Sequence, residues 1–148
     1  DVQLESAGRG VALDFHAGRA AHVQHERLTH EHAAHRVVTA VNSDIGAAVE
    51  KVMTQYGFGI VRDLVGHGVG HQVHEEPDVP NYGVAGTGNK LSKVMTITIE
   101  PMSTLGSERV VLDQDGWTIK TYDKSLSAHF EHTVLILENR AEILTATF

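Results

Sequence analysis

Three glycines in five residues, Gly66-His67-Gly68-Val69-Gly70, oppose a helix through the middle of this chain, because glycine loses more conformational freedom there than any other residue. The path must be extended or looped, and it continues as His71-Gln72-Val73-His74-Glu75-Glu76-Pro77. Its histidines His67 and His74 stand seven residues apart, which is not the one-turn spacing of a helical His-Glu-x-x-His pair. Histidine is the commonest imidazole metal ligand and a frequent general acid, so two of them beside paired carboxylates fit a hydrolytic metal site. The plainer alternative is a glycine loop with surface histidines.

Two later segments favour the site. Val94-Met95-Thr96-Ile97-Thr98-Ile99-Glu100-Pro101-Met102 alternates apolar and polar residues as a strand does, and ends on a carboxylate. Ser125-Leu126-Ser127-Ala128-His129-Phe130-Glu131-His132-Thr133 leads into Val134-Leu135-Ile136-Leu137, with Glu131 at the entrance of a second β-branched strand. Both carboxylates are placed to supply oxygen ligands.

These motifs, with Asn81-Tyr82-Gly83 and Asp115-Gly116-Trp117-Thr118 between them, resemble the C-terminal half of a type I methionine aminopeptidase. The likeness runs over roughly residues 44 to 146, from Asp44-Ile45-Gly46-Ala47-Ala48 to Glu142-Ile143-Leu144-Thr145. His-Glu-Glu-Pro alone would also fit proline-specific relatives. The tryptophan segment and the Ser-Leu-Ser-Ala-x-Phe-Glu-His-Thr run point to the methionine branch. The resemblance implies a pita-bread fold, in which two related α/β halves face each other across the metal site. It also sets Asp1 at the family's first metal-ligating aspartate, so the N-terminal half is expected to be absent.

With 148 residues the chain is expected to be one truncated domain, residues 1 to 148, able to bury a respectable core. A net charge of −7 argues against a general nucleic-acid binder, whose footprint would be basic. No apolar run approaches a membrane span and no signal peptide opens the chain, so a cytoplasmic, soluble protein is expected. Cysteine is absent, which leaves histidine and carboxylate as ligands and suits divalent cobalt, manganese, iron or zinc.

The patterning reads as α+β, with two main helices on a mostly antiparallel sheet. Residues 1 to 16 read as a hairpin bending at Ala7-Gly8. Residues 23 to 41 read as one helix, and Asn42-Ser43-Asp44 caps a second, Ile45 to Tyr56, closed by Gly57. Strands are expected near 58 to 64, 71 to 74, 94 to 100, 108 to 112, 117 to 120, 131 to 138 and 142 to 147. The six histidines between His16 and His35 read as solvated helix residues.

The hairpin pairs Asp1 with Asp14, and two opposed carboxylates are destabilising unless a cation lies between them. The resemblance calls for two aspartates on adjacent strands, which makes Asp14 the candidate for the second; an ungapped match would put Ala12 there. It further implies that Asp1, Asp14, His67, Glu100 and Glu131 hold one or two divalent ions. On the same resemblance Glu100 would also shuttle the proton of the attacking water, and His74 would hydrogen-bond the peptide carbonyl or the oxyanion. Trp117 forms one wall of the substrate pocket; Val73, where the family has a large apolar residue, forms another. The substrate is then the N-terminus of a peptide or nascent chain. The implied function is metal-dependent removal of N-terminal methionine or another small apolar residue. The alternative is a metal-binding remnant or fragment without efficient catalysis. One further departure is Ser92-Lys93-Val94, in place of the family's Lys-Pro-Gly turn. A chain lacking half of a two-layer fold is also expected to cover its bare face by forming a homodimer.

Overall fold

The computed structural model describes residues 41–138 and 140–146. The expected hairpin over residues 1 to 16, with Asp1 and Asp14, lies outside them, as does all but the last residue of the expected helix over 23 to 41. That last residue departs from the expectation. Val41 is extended, with φ −93° and ψ 157°, and forms an isolated antiparallel bridge with Lys90.

Helix α1, Asn42–Gln55, turns Ile45, Val49 and Met53 onto one buried face. Residues four apart share a helix face, so this spacing makes a single apolar stripe. Its start is fixed by carboxylate and amide side chains. Asp44 Oδ2 accepts the Val41 N–H at 3.0 Å, while Asn42 donates to the Asp78 carbonyl at 2.7 Å and accepts from the Asn89 N–H at 2.8 Å. Its end is the expected Gly57, which adopts φ 74°. The Gly57 N–H reaches Thr54 O at 3.1 Å and the Phe58 N–H reaches Met53 O at 3.0 Å, satisfying carbonyls the helix leaves open.

Ten strands follow among the described residues: β1 Gly59–Ile60, β2 Gly66–Gly68, β3 Glu75–Val79, β4 Thr96–Ile99, β5 Met102–Thr104, β6 Val110–Leu112, β7 Ile119–Thr121, β8 Ser127–His129, β9 His132–Ile136 and β10 Ala141–Ile143. They form a five-stranded sheet ordered β10-β9-β4-β2-β3, a three-stranded sheet β1-β5-β8 and the ribbon β6-β7. Every paired strand is antiparallel. The α+β, mostly antiparallel expectation therefore holds, with one helix among the described residues. Ile97, Ile99, Val134 and Ile136 of the larger sheet pack with Ile45, Val49 and Met53 of α1 in the core.

The strand expected at 71 to 74 is not formed, and the glycines explain why. A β-carbon on Gly66 would collide with the Thr98 carbonyl, and one on Gly68 with the Glu76 carbonyl. Only glycine admits those approaches, so the chain makes strands on either side, β2 and β3, and 70 to 74 become the exposed link. Pro77 is accommodated because β3 is an edge strand, where a missing N–H breaks no ladder.

Val94 adopts φ 69° and is 71% exposed, with its N–H bonded to Ile136 O at 2.8 Å. It stands where the resemblance has glycine. The left-handed region costs an L-residue about 1–2 kcal/mol, and a β-branched side chain is poorly suited to it. Val94→Gly is therefore expected to stabilise the fold by about 1 kcal/mol after glycine's extra unfolded-state entropy is deducted. Urea unfolding reads this directly, and an unchanged or lower midpoint would contradict it.

Candidate metal centre

One ladder positions the carboxylates. Thr96↔Leu135 through Ile99↔His132 pair β4 with β9, and Met102↔His129 through Thr104↔Ser127 pair β5 with β8 in the same register. The two stretches belong to different sheets, and the seam between them falls at Glu100-Pro101 and Phe130-Glu131. Proline has no N–H to continue the ladder. Extending the register by one residue sets Glu100 opposite Glu131, where like charges repel unless a cation lies between them. From the other side β2 pairs Gly68 with Ile97, so His67 lies across from Thr98 and its N–H donates to Thr98 Oγ1 at 2.9 Å.

His67, Glu100 and Glu131 each offer one ligand atom, and the three atoms lie within 4.8 Å of one another. Glu100 is only 9% exposed. A buried carboxylate needs partners. Its Oε1 accepts the Thr98 hydroxyl at 3.3 Å, its Oε2 lies 3.1 Å from His129 Nε2, and its backbone carbonyl accepts Asn81 Nδ2 at 3.0 Å. His67 Nδ1 is 2.8 Å from the Gly68 carbonyl. That oxygen can only accept, so Nδ1 donates to it and Nε2 is the ring nitrogen left to face the site. Nε2 faces Glu100 Oε1 at 3.4 Å. An imidazole nitrogen facing one carboxylate, with a second carboxylate beside them, is a set of groups that could hold a cation. Fixing a ligating histidine through its other nitrogen to a carbonyl is the usual arrangement at metals. The donor set of imidazole and carboxylate thus fits a divalent ion.

His74 is close by without joining the cluster. Its ring centroid lies 4.2 Å from that of His67, at 57°. Both histidines line a cavity of about 350 Å³ with Glu100 and His129, and Val61, Leu64 and Met102 supply apolar wall. Val73, 72% exposed, lies on the link between β2 and β3, and Trp117, 53% exposed, on the turn of β6-β7. Neither is among the residues lining the cavity. The tryptophan motif is built as a turn. Asp115 accepts the Thr118 hydroxyl at 2.6 Å and the Trp117 and Thr118 N–H groups at 2.9 and 2.8 Å. These bonds, the hydroxyl's first, hold its carboxyl down at about 2.

Sequence reasoning assigned no role to Thr98, Asn81 or His129. Two of them carried a signal. Thr98 precedes Glu100 by two residues and His129 precedes Glu131 by two, the spacing that puts side chains on one strand face.

Imidazole and carboxylates brought together at the seam of two antiparallel sheets, beside a cavity with an apolar wall, are a donor set suited to a divalent metal ion. The chain belongs to metallopeptidase family M24, whose model matches residues 21–138. It is 52% identical over 103 residues to a methionine aminopeptidase of Clostridium perfringens, covering 70% of this chain and 41% of that protein. With the methionine aminopeptidase of Escherichia coli K12 it shares 47% over 102 residues, 69% of this chain and 39% of that one. The crystal structure of methionine aminopeptidase from Thermotoga maritima superposes with a TM-score of 0.79 at 42% identity, covering 93% of this chain and 57% of that chain. A prolidase from Pyrococcus furiosus gives 0.55 at 26% identity, covering 81% of this chain and 30% of that chain. The methionine branch is thus the nearer of the two in sequence and in shape, and the fold is part of the pita-bread arrangement. The chain spans about two fifths of the length of the curated relatives it matches.

Proposed function

We propose that this protein is a divalent-metal-dependent aminopeptidase that removes N-terminal methionine, or another small apolar residue, from peptides. The observation that carries the reading is the grouping of His67, Glu100 and Glu131, an imidazole nitrogen and two carboxylate oxygens within 4.8 Å of one another. The metal supplies an acidified water and a polarised scissile carbonyl when bound. Glu100 takes the water's proton, a role its burial and double hydrogen bonding prepare it for. His74, exposed on the cavity side of His67, donates to the oxyanion. The apolar wall of Val61, Leu64 and Met102 receives the substrate side chain and excludes water from it. Asp1 and Asp14 complete the ligand set in this reading. A homodimer and a cytoplasmic location belong to it as well.

A second reading, a metal-binding remnant without efficient catalysis, is favoured by Val73 and Trp117, the two expected pocket walls, which are exposed and do not line the cavity. Cleavage of Met-Ala-Ser against Ac-Met-Ala-Ser in manganese or cobalt separates the two. An aminopeptidase releases methionine from the free peptide and spares the acetylated one. Metal binding with no cleavage of either would select the remnant.

A further inference from the structure

We infer that His129 is a positioning residue for Glu100, and that this chain uses it to hold the carboxylate in its metal-binding and proton-accepting orientation. The inference rests on the metal reading above and adds a residue to it. His129 occupies the one position left open in the Ser-Leu-Ser-Ala-x-Phe-Glu-His-Thr run, so nothing in the resemblance assigns it a task.

The geometry does. β8 ends at His129, paired with Met102, and the chain then crosses the seam to Glu131. Residues two apart in an extended chain face the same way, so His129 and Glu131 both turn toward Glu100 from one stretch of backbone. His129 Nε2 lies 3.1 Å from Glu100 Oε2, with its side chain 22% exposed and that of Glu100 12%. An ionised carboxylate only accepts, so Nε2 donates.

Thr98 cannot do the same work alone. Its Oγ1 already accepts the His67 N–H, and its reach to Glu100 is a long 3.3 Å directed at Oε1. With Thr98 on one oxygen and His129 on the other, rotation of the carboxylate about its last bond is blocked and Oε1 is kept facing His67 Nε2. Groups that orient metal ligands in this manner are worth roughly 10- to 100-fold in metal affinity or activity.

The test is a manganese titration of the full chain by calorimetry, run on the parent and on His129→Gln, His129→Asn and His129→Leu. The site is defined as the binding component that Glu100→Gln removes. Glutamine Nε2 stands as many bonds from the backbone as histidine Nε2, so His129→Gln keeps the donor where it is needed. Asparagine is one carbon shorter and, like leucine, delivers none, yet it stays polar at a partly exposed position. We expect His129→Leu and His129→Asn to weaken manganese binding roughly 10- to 100-fold, and His129→Gln to restore most of the loss. In turnover of Met-Ala-Ser the same pair should lower kcat more than they raise KM.

Parent-like affinity in the leucine and asparagine proteins would overturn the inference. So would a glutamine protein as weak as they are, since that result would make His129 a ligand in its own right. Should Glu100→Gln leave every manganese component intact, the metal reading itself fails and the role of His129 falls with it. That outcome is distinct from both others. Unfolding curves that match the parent's confirm that each variant is compared as a folded protein.

Discussion

Replacing His74 by alanine is expected to lower turnover about 100- to 1000-fold, the usual cost of removing an oxyanion donor, while leaving metal affinity near the parent's. The ring packs 4.2 Å from that of His67, yet His74 is outside the group of three whose ligand atoms lie within 4.8 Å of one another. It is exposed on the wall of the cavity, where a substrate carbonyl can reach it. In the proposed mechanism a group so placed contributes to the transition state and not to holding the ion. Steady-state kinetics paired with manganese calorimetry reads both quantities. Loss of the metal together with activity would contradict the assignment.

Glu100→Gln is expected to have the larger effect. In the proposed mechanism the residue is both a ligand and the acceptor of the water's proton, and general-base contributions alone are about 100- to 10,000-fold. Glutamine keeps the volume but removes the charge, and one of its two oxygen positions becomes an amide that repels a cation. The fold is expected to survive, because Asn81 binds the backbone carbonyl of Glu100 and not its carboxylate. Turnover within tenfold of the parent, in a protein that still melts cooperatively, would remove Glu100 from the mechanism.

Much of this architecture was legible because local chemistry left few options. Gly57 closes α1 through a left-handed residue, and the apolar stripe of Ile45, Val49 and Met53 faces the core, both as the spacing requires. The strands near 71 to 74 were misplaced for a physical reason. Period-two alternation cannot reveal β2, whose Gly66 and Gly68 are selected by close carbonyls and not by side-chain burial. β5 and β8 were missed because the seam at Pro101 cuts one long ladder into short pieces that look like strand ends and loop.

The site shows the same division. His67, Glu100 and Glu131 were nameable from their motifs, and the structure brings them together. What the motifs could not carry was register. Glu100 and Glu131 are thirty-one residues apart in the chain and adjacent in space only because β4 and β9 pair as they do. His129 and Thr98 depend on that register too, so their contacts with Glu100 become visible only in the folded chain.

The central claim is that His67, Glu100 and Glu131 hold a divalent ion, and Glu131 offers the cleanest test of it. Its side chain is exposed and outside the core, so truncating it removes a carboxylate and little packing. Calorimetric titration of the parent and of Glu131→Ala with manganese measures the site directly. The account predicts that the Glu131→Ala protein, folded as the parent is, loses the site's binding component or binds it far more weakly. Unchanged stoichiometry and affinity would contradict it.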